Sequence, residues 1–184
     1  MTHRLFAAIR PPAAVIDALL ALEGGVAGAR WQDEGQLHLT LRFFGEVGPV
    51  QAEDVAAALG TVRAAPFALA LRGVGHFERK SRFGARAHTL WAGLAPCDAL
   101  LALQRRVETA ARRAGLPPEP RRFAPHITLA RLSAASGPLL PFLQAHGALH
   151  GEPWPVEAFD LMESTLTPAG AEYETVRRYR LFAD

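Results

Sequence analysis

The chain has one cysteine in 184 residues, one lysine, two methionines and two tyrosines. A lone thiol, Cys97, can form no internal disulfide and no cysteine-based metal site, so a reducing compartment, the cytoplasm, is the expected location. Cys97 lies in "LAPCDALLALQ" and reads as a small buried filler where a helix begins. No apolar run approaches the roughly 20 residues of a membrane-spanning helix. The opening "MTHRLFAAIRPPAAV" is not expected to act as a secretory signal, because its apolar piece is short and Arg10-Pro11-Pro12 interrupts it. HxH, HExxH, GxSxG and GxxxxGK[ST] are all missing, which removes the usual signatures of zinc hydrolases, serine hydrolases and P-loop ATP users.

The cations are almost all arginine, nineteen against Lys80, with a net charge of +2. They cluster in "ERKSRFGAR" (78–86) and "PEPRRFAPHITLAR" (118–131). The planar guanidinium bonds phosphate bidentately, although a solvated basic face explains such clusters equally well. With 49% apolar and 21% charged residues, the composition is that of a globular protein, one domain or two small lobes sharing a core.

Apolar periodicity predicts strands over 3–10, 37–47, 67–77, 87–94, 126–132, 154–165 and 173–182, and helices over 13–26, 50–63, 97–116 and 138–146. Residues 79–86 and the proline-rich 116–125 read as loops. The order β-α-β-α-β-β-α-β-α-β-β suggests a weak duplication: two α+β lobes facing each other within one domain, residues 1–184. The main alternative is a single α/β sandwich.

Two strands carry a shared spelling, HLTL at 38–41 and HITL at 126–129. Side chains alternate along a strand, so His38 and Thr40 share one face, as do His126 and Thr128, while Leu39, Leu41, Ile127 and Leu129 point to a core. Each motif thus sets an imidazole and a hydroxyl on a polar face backed by apolar packing. Histidine titrates near neutrality, so one of a facing pair can accept a proton while the other donates one. Opening a phosphodiester needs that pair together with hydroxyls or an arginine on the phosphate oxygens, and no metal. Either tetrapeptide alone would read as a satisfied histidine beside an ordinary strand threonine.

The paired H-x-T-apolar motifs resemble those of the 2H phosphoesterases. The fuller strings "LHLTLRFFGEV" and "FAPHITLARL", with "RLFAAIRPP", "HTLWAGL" and "LMESTLTPAGAEYETVRRYRL", are similar to the RNA 2',3'-cyclic phosphodiesterase branch, also called 2'-5' RNA ligases. The resemblance implies an α+β, bilobal fold with pseudo-twofold symmetry, two mainly antiparallel sheets flanked by helices around a central cleft, one motif per lobe. It implies hydrolysis of 2',3'-cyclic phosphate ends of RNA or nucleotides to 2'-phosphates; no cofactor, metal, membrane or obligatory protein partner is expected, and a monomer is the default. His126 would act as general base and His38 as proton donor, an order that resemblance alone assigns. Thr40 and Thr128 would hold the phosphate.

Arg131 belongs to the "HITLAR" string, yet strict alternation puts it opposite His126 unless a bulge or the strand's end turns it. Arg42 and Phe44 share the parity of His38. Arg42 could reach phosphate at the cleft mouth or lie on the surface; Phe44 could stack a base but fits a core aromatic better. His88 lacks the motif spacing and reads as structural, and His3, His76, His146 and His150 receive no role. Two other readings stay open: 2'-5' RNA ligation at the same site, and a non-catalytic module that binds RNA ends.

Overall fold

The computed structural model describes residues 2–80, 86–168 and 170–182. Ten strands and four helices follow in order: β1 (His3–Ile9), α1 (Ala13–Leu20), β2 (Arg30–Trp31), β3 (Leu39–Val47), α2 (Pro49–Leu59), β4 (Phe67–Leu69), β5 (Leu71–Lys80), β6 (Arg86–Leu94), α3 (Asp98–Arg113), β7 (His126–Leu132), α4 (Leu140–His146), β8 (Trp154–Val156), β9 (Ala158–Thr167) and β10 (Gly170–Arg180). The long apolar stretches therefore form the elements that their periodicity predicts, with α1, α2 and α3 ending earlier and β5, β9 and β10 running further into their turns than expected. The span 67–77 divides, because Phe67–Leu69 pairs with β8 while the residues from Leu71 onward pair with β6. The span 154–165 divides likewise at Glu157. Strand β2 is two residues long, too short for any periodicity to show. Of the basic loop, 79–80 end β5 and residue 86 begins β6; residues 81–85 lie outside the described residues.

The main sheet has the order β10-β9-β1-β3-β7-β6-β5, every pairing antiparallel. Two halves meet where β3 and β7 touch at a single aligned pair, Leu39 opposite Ile127. Each half thus carries one motif strand at its inner edge, and two antiparallel neighbours are related by a local twofold. Helices α2 and α3 pack on each other and on β1 and β3, and α4 packs on β5. The amphipathic α3 buries Leu100, Leu103, Val107, Ala110 and Ala111, at helical spacing, in the main core. Leu39, Leu41, Ile127 and Leu129, each at most 2% exposed, enter that same core. The other face of the sheet bears a small cluster, Phe6, Ala8 and Met162 with Phe43 and Tyr173 against it.

Bulges decide what flanks the motifs. Ala8 pairs with Thr40 and Ala7 with Arg42, so Leu41 is an extra residue and alternation reverses after it. Arg42 therefore turns to the helix side. A second shift, Phe6 to Phe43 and Leu5 to Gly45, makes Phe44 extra and leaves it in the main core, 8% exposed. Along β7, Trp91 pairs with Thr128 and Leu90 with Ala130, so Leu129 is extra and Arg131 returns to the face of His126.

Candidate active site

The Leu39–Ile127 pairing sets the register of the two motifs. One residue to either side, His38 stands across from Thr128 and Thr40 across from His126. All four side chains project from the face opposite the main core, and all four are half-buried. The histidines occupy a diagonal, whose residues in an antiparallel pair lie about 7–8 Å apart. That spacing leaves room for one tetrahedral phosphate between two imidazoles, with the hydroxyls on the other diagonal. Among the described residues, neither hydroxyl is engaged by another protein group.

Both rings are held in the same way. His38 Nδ1 donates to the Gln36 carbonyl and His126 Nδ1 to the Ala124 carbonyl, each at 2.7 Å. A carbonyl only accepts, so each Nδ1 carries hydrogen and Nε2 is the nitrogen left free for chemistry. Aromatic walls fix the rings further. Phe6 and Tyr173 lie 4.9 and 5.1 Å from His38, centre to centre. Phe77 and Trp91 lie 4.9 and 6.4 Å from His126. Gly75 lets the Trp91 indole lie across β5, since a Cβ there would stand 2.4 Å from its ring.

These walls withdraw both histidines from water. Burial, more than any other cause, lowers His38 from 6.5 to about 4; the positive fields of His126, Arg10 and Arg131 add to it, against the Gln36 hydrogen bond. His126 is lowered as well, again chiefly by burial and then by Arg131. Both are neutral bases at pH 7 until an anion arrives, and a phosphate between them would reverse the electrostatic part of the shift.

Arg131 is thus near enough to bias both rings, and among the described residues no carboxylate pairs with it. Arg10, just past the end of β1, adds a second positive charge beside His38 and makes a long 3.4 Å bond to the Glu34 carbonyl. Sequence reasoning passed over Arg10, and equally Phe6, Phe43, Tyr173, Phe77 and Trp91.

Two sequence expectations are corrected. Arg42 does not face the histidines: its side chain, 6% exposed, forms an ion pair with Glu108 at 2.7 Å, hydrogen-bonds Glu119 at 2.8 Å and donates to the Pro117 carbonyl at 2.6 Å. Glu119 is held at about 2, first by hydrogen bonding from Arg121 and then by the charges of Arg121 and Arg42. This network ties β3 to the loop that leads into His126. Phe44 offers no base a surface, because the bulge places it among core side chains. Among the described residues no group of three or more His, Cys, Asp or Glu is arranged to hold a metal ion, and no helix is long and apolar enough to cross a membrane.

Paired His-x-Thr strands on one face of a two-halved antiparallel sheet define the architecture of the 2H phosphoesterases. The fold matches a crystal structure of a phosphoesterase with TM-score 0.81 at 25% identity and LigT of Escherichia coli, complexed with 3'-AMP, with TM-score 0.80 at 26% identity, each over 100% of both chains. The chain belongs to the 2'-5' RNA ligase superfamily, whose family model matches residues 11–167. Among curated relatives, it is 34% identical to the RNA 2',3'-cyclic phosphodiesterase of Thermus thermophilus over 193 aligned residues, covering 97% of this chain and 90% of that protein. It is 32% identical over 155 residues to the enzyme of the same name from Aeropyrum pernix, covering 83% of this chain and 85% of that protein. These relatives are phosphoric diester hydrolases by name.

Proposed function

We propose that this chain hydrolyses 2',3'-cyclic phosphate ends of RNA or nucleotides to 2'-phosphates by two-histidine acid–base catalysis that needs no metal. The observation that carries this reading is the matched pair of Nδ1–carbonyl bonds, which leaves two Nε2 atoms free on one sheet face across a diagonal of hydroxyls. His126 Nε2 takes a proton from water as the water oxygen bonds to phosphorus. The bond from phosphorus to the 3'-oxygen breaks, and that oxygen takes the proton of His38 Nε2. The product is a 2'-phosphate with a free 3'-hydroxyl, and one net proton transfer from His38 to His126 remains to be reversed.

Thr40 and Thr128 donate hydrogen bonds to the non-bridging oxygens, and Arg131 opposes their growing charge. His38 must be protonated to act as the acid, and the substrate's own negative charge raises its pKa when it binds. The names of the relatives supply the substrate class. On this reading the chain acts in the cytoplasm as a monomeric single domain of residues 1–184.

The test is incubation of the wild-type chain with nucleoside 2',3'-cyclic phosphate in EDTA, followed by separation of 2'- and 3'-phosphate products. Turnover to the 2'-phosphate is expected. Turnover that requires added metal, or release of the 3'-phosphate, would overturn the proposal.

A further inference from the structure

Strand β2 occupies the edge of β7 that β3 leaves free. Its two residues pair with the far end of β7, Arg30 with Arg131 and Trp31 with Ala130. Trp31 turns inward, with its ring 5.6 Å from Phe142, and Ala130 is fully buried. Arg30 and Arg131 therefore project from the opposite face, which is the face of His126 and Thr128. Along β7 on that face, the Arg30–Arg131 pair lies beyond Thr128 from the Leu39–Ile127 pair that joins the two motifs.

Like charges directly opposite one another across a strand pair repel. Among the described residues no carboxylate relieves either of these arginines, and both are exposed. Such a pair is quieted by an anion lying between the two guanidinium groups. Arg131 depresses the pKa of both histidines, whereas Arg30 is not among the groups that do. Arg30 shares the rung of Arg131 but stands on the neighbouring strand β2, so of the two it is Arg131 whose charge reaches the histidines.

We propose that Arg30, with Arg131 beside it, binds the phosphodiester that precedes the terminal nucleotide of an RNA strand, so that the site favours chain ends over free mononucleotides. The chemistry fits: a polynucleotide end carries a second monoanionic phosphate one nucleotide from the cyclic one, and a cyclic mononucleotide carries none. This inference rests on the hydrolytic reading of the site and adds a source of substrate preference to it.

The experiment compares kcat/KM for a 2',3'-cyclic mononucleotide with that for a short oligoribonucleotide ending in the same cyclic nucleotide, in the wild type, Arg30→Gln and Arg30→Lys. The wild type should prefer the oligonucleotide. In Arg30→Gln the oligonucleotide-to-mononucleotide ratio should fall about tenfold, through KM, and the salt dependence of log KM for the oligonucleotide should lose about one unit of slope. Arg30→Lys should keep most of the preference, since the charge remains. An unchanged ratio in Arg30→Gln would overturn the inference while leaving the hydrolytic reading intact. A wild type that opens neither substrate would overturn that reading, and this inference with it.

Discussion

Acid should weaken this fold through His38. In the unfolded chain the imidazole titrates near 6.5, and in the folded chain burial lowers it to about 4. Between those values the unfolded state binds more protons than the folded one, so stability rises with pH through the window and falls on acidification. From pH 7 to pH 5, His38 alone should remove about 2 kcal/mol, approaching about 3 kcal/mol below pH 4. Glu119, held at about 2 against 4.5 when free, loses its contribution mainly below pH 5, so it adds little between pH 7 and pH 5. For a chain of this size the loss corresponds to a drop in Tm of about 4–8 °C. The assay is denaturant unfolding at pH 7 and pH 5 of the wild type and His38→Gln, where the difference in pH response isolates His38 from the other histidines. The wild type should lose about 2 kcal/mol more than the variant. Equal losses would mean that His38 titrates like an exposed histidine, and the aromatic enclosure by Phe6 and Tyr173 would not be what sets its chemistry.

Arg42→Met leaves Glu108 without its cation and Glu119 with Arg121 alone, and should cost about 3–5 kcal/mol of stability; thermal unfolding checks it, and an unchanged Tm would put Arg42 outside a structural network. Gly75→Ala forces the Trp91 indole off β5, so tryptophan fluorescence should shift and stability fall by about 1–3 kcal/mol; an unaltered spectrum would show that Trp91 does not depend on that glycine. Thr40→Val and Thr128→Val each keep the strand but remove a hydroxyl, and each should lower kcat/KM for a cyclic nucleotide about 10- to 100-fold with little change in Tm. Full activity in either variant would remove that threonine from the phosphate site.

The motifs were legible because period-two alternation is reliable over four residues. It placed His38 with Thr40 and His126 with Thr128 on a face away from the buried leucines and isoleucine, and the half-buried and buried classes of these residues agree. Beyond the motifs the same rule failed at each bulge. Arg42 and Phe44 share the parity of His38 in sequence, yet the extra residues Leu41 and Phe44 carry them to the helix side. Arg131 has the wrong parity, and the extra Leu129 turns it back toward the histidines. A bulge adds a residue without a fixed composition, so pattern alone does not locate it. The aromatic walls were hidden for a different reason: Phe6, Phe77, Trp91 and Tyr173 come from four strands distant in sequence from the motif each one flanks. Arg30 escaped notice because a two-residue strand gives no periodic signal.

The most direct test of the central claim is kcat for a nucleoside 2',3'-cyclic phosphate in EDTA, measured for the wild type, His38→Gln, His126→Gln and the double variant, with Tm recorded for each. Each single substitution should lower kcat about 10²- to 10⁴-fold, and the double variant should be little worse than the more damaging single one, as befits two groups acting as a unit. Near wild-type turnover in either folded single variant, or in the double variant, would contradict it.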